Sequence, residues 1–224
     1  MVVQYFSNEA LSVKFFDTIT SFDPSVRGDV EFYASFLHSS AEQVLELGCG
    51  TGRIAISLAA RGHLVIGVDT SEAMLKRGRA KCYALPLNQQ RNLQLLRYDL
   101  VTLALPARFH LVIAPFYTFN HLDSRQQRAQ ALLTIAKHLL PGAHAIIHAA
   151  SPDVLREHRI PRRPGNIFKF EDEGTRLEVT WAQRIVDEKQ RTSQQIVEYQ
   201  LIAADGSIIE ASEEEFIYRW FSDS

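Results

Sequence analysis

Three glycines alternate with small residues in Gly48-Cys49-Gly50-Thr51-Gly52. Before them runs Val44-Leu45-Glu46-Leu47, a short apolar stretch interrupted by an acid. After them Ile54, Ala55, Leu58 and Ala59 recur at helical spacing, and Gly62 is placed to stop that helix. The spacing predicts a strand-to-helix turn. Glycine lets the backbone approach a ligand closely, and the first N–H groups of a helix lack partners of their own. Leu64-Val65-Ile66-Gly67-Val68 then reads as a second strand. It ends in Asp69, 21 residues after Gly48. A carboxylate at that strand tip suits the paired hydroxyls of a ribose.

Two ligand classes use such a turn. A dinucleotide calls for G-x-G-x-x-G, which would need glycine at position 53, where this chain has Arg53. Glu46 beside the turn would repel a pyrophosphate and suits a cation. S-adenosylmethionine has a ribose, an ammonium and a sulfonium but no phosphate, so the spacing and Glu46 both favour it. Glu46-Leu47-Gly48-Cys49-Gly50-Thr51-Gly52 resembles the first motif of class I S-adenosylmethionine-dependent methyltransferases. Val68-Asp69-Thr70-Ser71-Glu72-Ala73-Met74-Leu75 resembles their second-strand motif, and the resemblance runs from residue 41 to about 150.

That resemblance implies an α/β fold: a Rossmann-like parallel sheet with helices on both faces, two N-terminal cover helices and a C-terminal antiparallel β meander. The expected regions are 1–40 for the cover helices, 41–150 for the cofactor-binding core and 151–224 for the meander, a roof on the substrate side. It implies a cofactor site of Glu46, Gly48, Cys49, Gly50, Thr51, Gly52, Asp69, Thr70, Met74, Asp99, Leu100, Pro115 and Phe116, with Asp99 and Leu100 at the adenine. Cys49 reads as a small filler of the turn rather than a nucleophile. Lid residues are expected among Tyr5, Phe15, Phe16, Arg27 and Tyr33.

The helix and strand periods fill in the frame. Residues 8–20, with Leu11, Phe15, Phe16 and Ile19 on one side, and 28–39, with Val30, Tyr33, Ala34 and Leu37, read as helices. Further core strands are expected at 92–98, 109–114 and 143–149, and a helix at about 71–82. Ser124-Arg125-Gln126-Gln127 has the form of a capping box. The helix it opens is expected to bury Ala129, Leu132, Leu133, Ala136, Leu139 and Leu140 and to stop at Pro141-Gly142. Arg156, Arg159, Arg162 and Arg163 with Pro161 and Pro164 mark a connection. Beyond it the period becomes two, with turn signals at Gly174 and Asp205-Gly206, giving strands near 167–172, 175–187, 194–204 and 208–220.

The resembled family completes its sheet with a further helix and hairpin, whereas this sequence stops at Phe221-Ser222-Asp223-Ser224. Strand 143–149, expected to be buried on both faces, would then have a bare edge, and association into a homodimer is the expected relief. With 46% hydrophobic residues the chain is globular in composition. A net charge of −2 gives no field for nucleic acid, and no apolar run is long enough to span a membrane. Two cysteines suggest no disulfide framework, and the N-terminus has no leader pattern, so a reducing, cytoplasmic location is expected. No metal site is expected. His144 and His148 share a strand face about 13 Å apart, too far for one zinc ion.

Methyl transfer needs positioning and desolvation of the acceptor, plus a base where the acceptor must lose a proton. The aromatic loop Pro115-Phe116-Tyr117-Thr118-Phe119-Asn120-His121-Leu122 follows a strand at the ligand edge. His121 is the candidate base, and Tyr117 and Asn120 are candidates to orient the acceptor. Ala114-Pro115-Phe116-Tyr117 lacks the Asn/Asp-Pro-Pro-Tyr/Phe pattern of nucleic-acid amino-methylating enzymes. The expected activity is transfer of a methyl group from S-adenosylmethionine to an N or O atom of a small molecule, leaving S-adenosylhomocysteine. The alternatives are a catalytically silent S-adenosylmethionine-binding or interaction module and a nicotinamide-dependent oxidoreductase, the latter disfavoured by Arg53 and Glu46.

Overall fold

The computed structural model describes residues 2–4, 6, 7, 10–157, 166–172 and 174–221. In chain order the elements are β1 (Val2–Gln4), α1 (Leu11–Lys14), α2 (Phe16–Phe22), α3 (Asp29–Ala34), β2 (Gln43–Leu47), α4 (Arg53–Ala60), β3 (Leu64–Asp69), α5 (Glu72–Tyr83), α6 (Leu87–Gln90), β4 (Leu93–Arg97), β5 (Phe109–Ala114), α7 (Arg125–His138), β6 (Leu139–Ile147), α8 (Pro152–Glu157), β7 (Asn166–Asp172), β8 (Thr175–Asp187), β9 (Thr192–Ala203) and β10 (Ile208–Arg219). Short 3₁₀ turns occupy Pro24–Val26 and Thr118–His121.

Residues 23–149 form one unit, built on a five-stranded parallel sheet in the order β4-β3-β2-β5-β6. The central strands read as near-continuous apolar runs because helices cover a parallel sheet. Val44, Leu45, Leu47, Leu111 and Ile113 are fully buried. Ile54, Ala55, Leu58 and Ala59 put the predicted stripe of α4 into the same core as Val44, Val65 and Leu75. Ser71 caps α5 by accepting from the Met74 N–H. The glycine inside α5 has a reason: a Cβ on Gly78 would lie 2.7 Å from Leu95 and 3.0 Å from the Thr51 carbonyl oxygen.

Residues 1–22 and 150–224 form the other unit, so the predicted cover segment divides between the two. Its sheet has the order β1-β10-β9-β8-β7. The meander has the predicted antiparallel hairpins, with strand ends within two residues of expectation. The sequence reading missed β1, which pairs parallel to β10. Leu11 packs on Leu177, Val179, Val197 and Tyr199. The predicted 8–20 helix is broken into α1 and α2 at Phe15, and the predicted 28–39 helix shortens to α3. Arg159, Pro161, Arg162, Arg163 and Pro164 lie outside the described residues.

Two expectations are corrected. Ser124 does cap α7, accepting from the Gln127 N–H at 3.1 Å. The buried face is a different one, however: Ala131, Thr134, Ile135 and His138 are buried, while Leu132 and Leu133 are 51% and 55% exposed and Ala129 and Ala136 are also exposed. Hydrogen bonds make the polar positions tolerable inside. The Thr134 hydroxyl donates to the Val101 carbonyl, and His138 accepts from the Leu105 N–H with Nε2 while its Nδ1 meets the Thr134 carbonyl. Nor is the fifth core strand buried on both faces. Its regular ladder is His144–Ile147 against Leu111–Ala114, it ends the sheet among the described residues, and His144 and Ala145 are exposed. The helix before it stops at His138 because Leu140 precedes a proline and is biased to extended backbone.

No helix among the described residues is long and apolar enough to cross a membrane. The revised face of α7 predicts unequal mutational costs. Ile135→Ala should lose about 2–4 kcal/mol of stability. Leu132→Ser should stay within about 0.5 kcal/mol of the parent. Urea denaturation of both variants checks this, and the reverse ranking would restore the face read from hydrophobicity.

Candidate functional site

Three β-strand ends and two loops build the site. The turn after β2 is tied down by one acceptor: the N–H groups of Gly48 and Cys49 both donate to the Val68 carbonyl at the end of β3, at 2.8 and 3.0 Å. Gly48, Gly50 and Gly52 all have positive φ, of 71°, 53° and 75°. At Gly48 glycine is needed twice over. The left-handed backbone favours it, and a Cβ there would fall 2.4 Å from the Thr118 hydroxyl oxygen. Thr118 thereby brings the aromatic loop after β5 onto the glycine turn. Cys49 is buried with its thiol pushed well up by burial, and its side chain fills the space left by Gly67. This agrees with a filler role.

Glu46 is 2% exposed in the middle of this arrangement. The Ala55 N–H in the first turn of α4 favours its charged form. The Glu46 oxygen Oε2 is buried with no hydrogen-bond partner. Burial pushes its pKa up to about 8. The Arg53 charge and the Ala55 N–H pull it down, and Asp29 and Asp69 add to the rise. Asp69, at the tip of β3, accepts from the N–H groups of Gly50 and Ser71, each at 2.8 Å. Burial raises its pKa against the pull of those N–H groups. Arg53 forks onto both carboxylate oxygens of Asp29 at 2.8 and 2.5 Å. Tyr33, 2% exposed, has its hydroxyl pushed up to about 12 by burial first and then by Asp29 and Glu46.

The loop after β5 is strained. Phe116 and Tyr117 both have positive φ, 46° and 65°, without being glycine. Such residues cost about 1–3 kcal/mol each and persist where surrounding bonds hold them. Here the Tyr117 N–H donates to the His148 carbonyl, the His148 N–H donates to the Ala114 carbonyl, and the Thr118 hydroxyl donates to the Pro115 carbonyl at 2.7 Å. The Tyr117 ring lies 4.6 Å from the His148 ring. Burial lowers the His148 pKa, opposed by Asp29 and Asp23. Asn120 is fully buried, and its N–H donates to the Tyr117 carbonyl. His121 is half-buried at the end of the 3₁₀ turn.

The structure therefore brings Glu46, Gly48, Cys49, Gly50, Thr51, Gly52 and Asp69 together, with the loop of Pro115, Phe116, Tyr117, Asn120 and His121 joined to them through Thr118. Other predicted residues are less directly involved. Asp99 is exposed and accepts from the Val101 N–H at 2.8 Å, a turn-capping bond. Leu100 is half-buried beside it, Thr70 is exposed and Met74 is buried. Tyr33 is buried in the hydrophobic core. Arg27 is exposed. Phe16 belongs to the unit of the antiparallel sheet, where its ring meets that of Phe6, and Tyr5 lies outside the described residues. Sequence reasoning missed Asp29, Thr118 and Lys81, whose amino group donates to the Thr51 hydroxyl at 3.0 Å. Asp29 and Lys81 stand in no motif, Thr118 was passed over within the aromatic loop, and only folding makes the three neighbours of the turn.

Residues 44–142 match the family described as a methyltransferase domain. A curated relative, the cypemycin N-terminal methyltransferase of a Streptomyces species, is 27% identical over 141 residues, which are 63% of this chain and 55% of that protein. The chain spans about half the length of the curated relatives it matches. Among solved structures, the CcbJ methyltransferase from Streptomyces caelestis superposes with a TM-score of 0.72 at 22% identity, covering 97% of this chain and 82% of that one. CalS10, an amino pentose methyltransferase from Micromonospora echinaspora solved with S-adenosylmethionine bound, has a TM-score of 0.71 at 19% identity, covering 94% and 83%. Residues 44–142 are thus similar to a methyltransferase domain, and the fold is similar to that of these solved methyltransferases.

Glu46 makes the ligand-free stability depend on pH. Its folded pKa, about 8, lies above the ordinary carboxyl value of 4.5. Its favourable contribution is therefore complete below the unfolded value and is lost as pH rises to about 8, at about 1.4 kcal/mol per pH unit. Glu46→Gln should remove this slope. Urea midpoints at pH 5 and pH 8 that fall equally in parent and variant would contradict the assignment.

Proposed function

We propose that this chain is an S-adenosylmethionine-dependent methyltransferase that moves a methyl group to a nitrogen or oxygen atom of a small molecule. The carrying observation is the orphaned Glu46 Oε2, a buried carboxylate oxygen at a glycine turn of class I geometry. The donor set fits this cofactor. A carboxylate lacking a partner calls for a hydrogen-bond donor or a cation, which an ammonium provides and a phosphate does not. When bound, S-adenosylmethionine supplies an electrophilic methyl group on a sulfonium.

The chain's residues have separate tasks in this reading. Glu46 receives the ammonium. Gly48, Cys49, Gly50, Thr51 and Gly52 give the backbone room that a close-lying ligand needs. Asp69 has two oxygens, each taken by one N–H, and carboxylate oxygens accept more than one bond, so it can also receive the ribose hydroxyls. Thr70, Met74, Asp99, Leu100, Pro115 and Phe116 complete the cofactor pocket, with Asp99 using the oxygen not held by Val101. Tyr117 and Asn120 orient the acceptor, and His121 removes its proton where the acceptor is protonated. Arg27, in the same unit as the glycine turn, is a further candidate to meet the acceptor. CalS10, an amino pentose methyltransferase, is a structural precedent for a small acceptor and favours nitrogen.

Calorimetric titration with S-adenosylmethionine, S-adenosylhomocysteine and NAD tests the reading. The two sulfur ligands should bind and NAD should not. Asp69→Ala should weaken binding by about 2 kcal/mol or more, the worth of charge-assisted bonds. Gly50→Val should abolish it, because a β-branched residue resists positive φ. Tight NAD binding, or normal binding by a folded Asp69→Ala variant, would overturn the assignment.

A further inference from the structure

Arg53 occupies an unfavourable place. It is the first residue of α4, where the helix dipole disfavours a cation. Asp29, 8% exposed at the start of α3, offsets this with a two-bond fork onto the guanidinium. A bidentate pair this enclosed holds both side chains in one geometry. It places a fixed positive charge where it favours the Glu46 carboxylate, as does the Ala55 N–H of the same helical turn. Neither Asp29 nor Arg53 has a role in cofactor or acceptor binding above.

We propose that Asp29 and Arg53 are positioning residues that hold Glu46 ready to receive the cationic group of the cofactor. The inference rests on Glu46 being that receiver. The groups facing Glu46 are Arg53 and the Ala55 N–H from α4, Asp29 and Tyr33 from α3, Cys49 from the turn and Asp69 from β3. Tyr33 and Cys49 stay protonated at neutral pH, since burial pushes both up. Asp69 is common to every variant below. That leaves two adjustable charges with opposite effects. Arg53 favours the Glu46 carboxylate, and Asp29 opposes it, both by repulsion and by neutralising Arg53. In the ligand-free protein Glu46 is mostly protonated at pH 7. On binding, its O–H bond breaks, the proton leaves to solvent, and the carboxylate pairs with the incoming ammonium. One positive charge enters and one departs.

The test is calorimetry of the full chain with S-adenosylmethionine between pH 6 and 9, in two buffers of different ionisation enthalpy. Below about pH 8 the parent should release close to one proton per ligand, and its affinity should rise up to about tenfold per pH unit. The free ligand's amino group titrates near pH 8 for all variants alike, so differences between variants isolate Glu46. Arg53→Gln should move the rising limb to higher pH and Asp29→Asn should move it to lower pH, each by about half a unit or more. Arg53→Lys, which keeps the charge, should lie near the parent. A purely structural pair would instead give two variants weakened equally at every pH with the limb unmoved, and that outcome overturns the inference while leaving the cofactor assignment standing. Proton release absent from the parent would overturn it as well. Failure of the parent to bind S-adenosylmethionine at all would sink both.

Discussion

The burial of one carboxylate governs the ligand end of the parallel sheet. Glu46 sits on β2, the central strand, in register with Gly67 on one side and Ile113 on the other. Removing an ionised carboxylate from water costs several kcal/mol unless it is paired and hydrogen-bonded. Here Oε2 has no hydrogen-bond partner, and the nearby Ala55 N–H only partly favours the charged form. The surroundings compensate in part. Arg53 brings a positive charge, Asp29 holds Arg53 in place, and the first turn of α4 points its N–H groups inward. Each of these depends on the glycine turn, because α4 begins one residue after Gly52.

The strained loop after β5 is a second local cost at the same strand tips. Phe116 and Tyr117 together could cost several kcal/mol. Main-chain bonds from Ala114 and His148 hold them, and the Thr118 side chain lies against Gly48, where any Cβ would collide with it. The core of Val44, Leu58, Leu75, Leu111 and Ile113 carries both costs. An orphaned acid and a strained aromatic loop meeting at one turn are more informative than either alone, since ordinary packing requires neither.

Features set by local period and turn chemistry were legible in the sequence: β2, β3, β5, the helix α5, the capped start of α7, and the four strands of the meander. Features that depend on distant partners were not. On α7 hydrophobicity chose Leu132 and Leu133 for the interior, yet Thr134 and His138 are buried because Val101 and Leu105, 33 residues away, supply their hydrogen bonds. β1 is three residues long, and only its pairing with β10 makes it a strand. Tyr33 and Asp29 are neighbours on α3. The first was read as a lid and the second was passed over, because nothing in the local sequence shows that Arg53 lies beside them. Arg53 itself was read only as the absence of a glycine. The glycine motif could be read because its glycines and acids stand close together in the sequence. The charges that tune it come from elsewhere in the chain.

Magnitudes decide between ligand classes at this turn. At an effective dielectric of 20, two unit charges about 4 Å apart interact by about 4 kcal/mol. A cation at that distance from an ionised Glu46 would gain this amount and an anion would lose it, a difference of about 8 kcal/mol. The N-terminus of α4 could return at most about 2 kcal/mol to an anion. Arg53 could return more, but Asp29 already holds both edges of its guanidinium. Protonating Glu46 would relieve the repulsion of a phosphate, but the buried Oε2 would still lack a donor unless it carried the proton itself. A glycine-rich turn before a helix is therefore no phosphate site by default. An ionised acid two residues before the first glycine disfavours an anion on the same backbone and favours a cation.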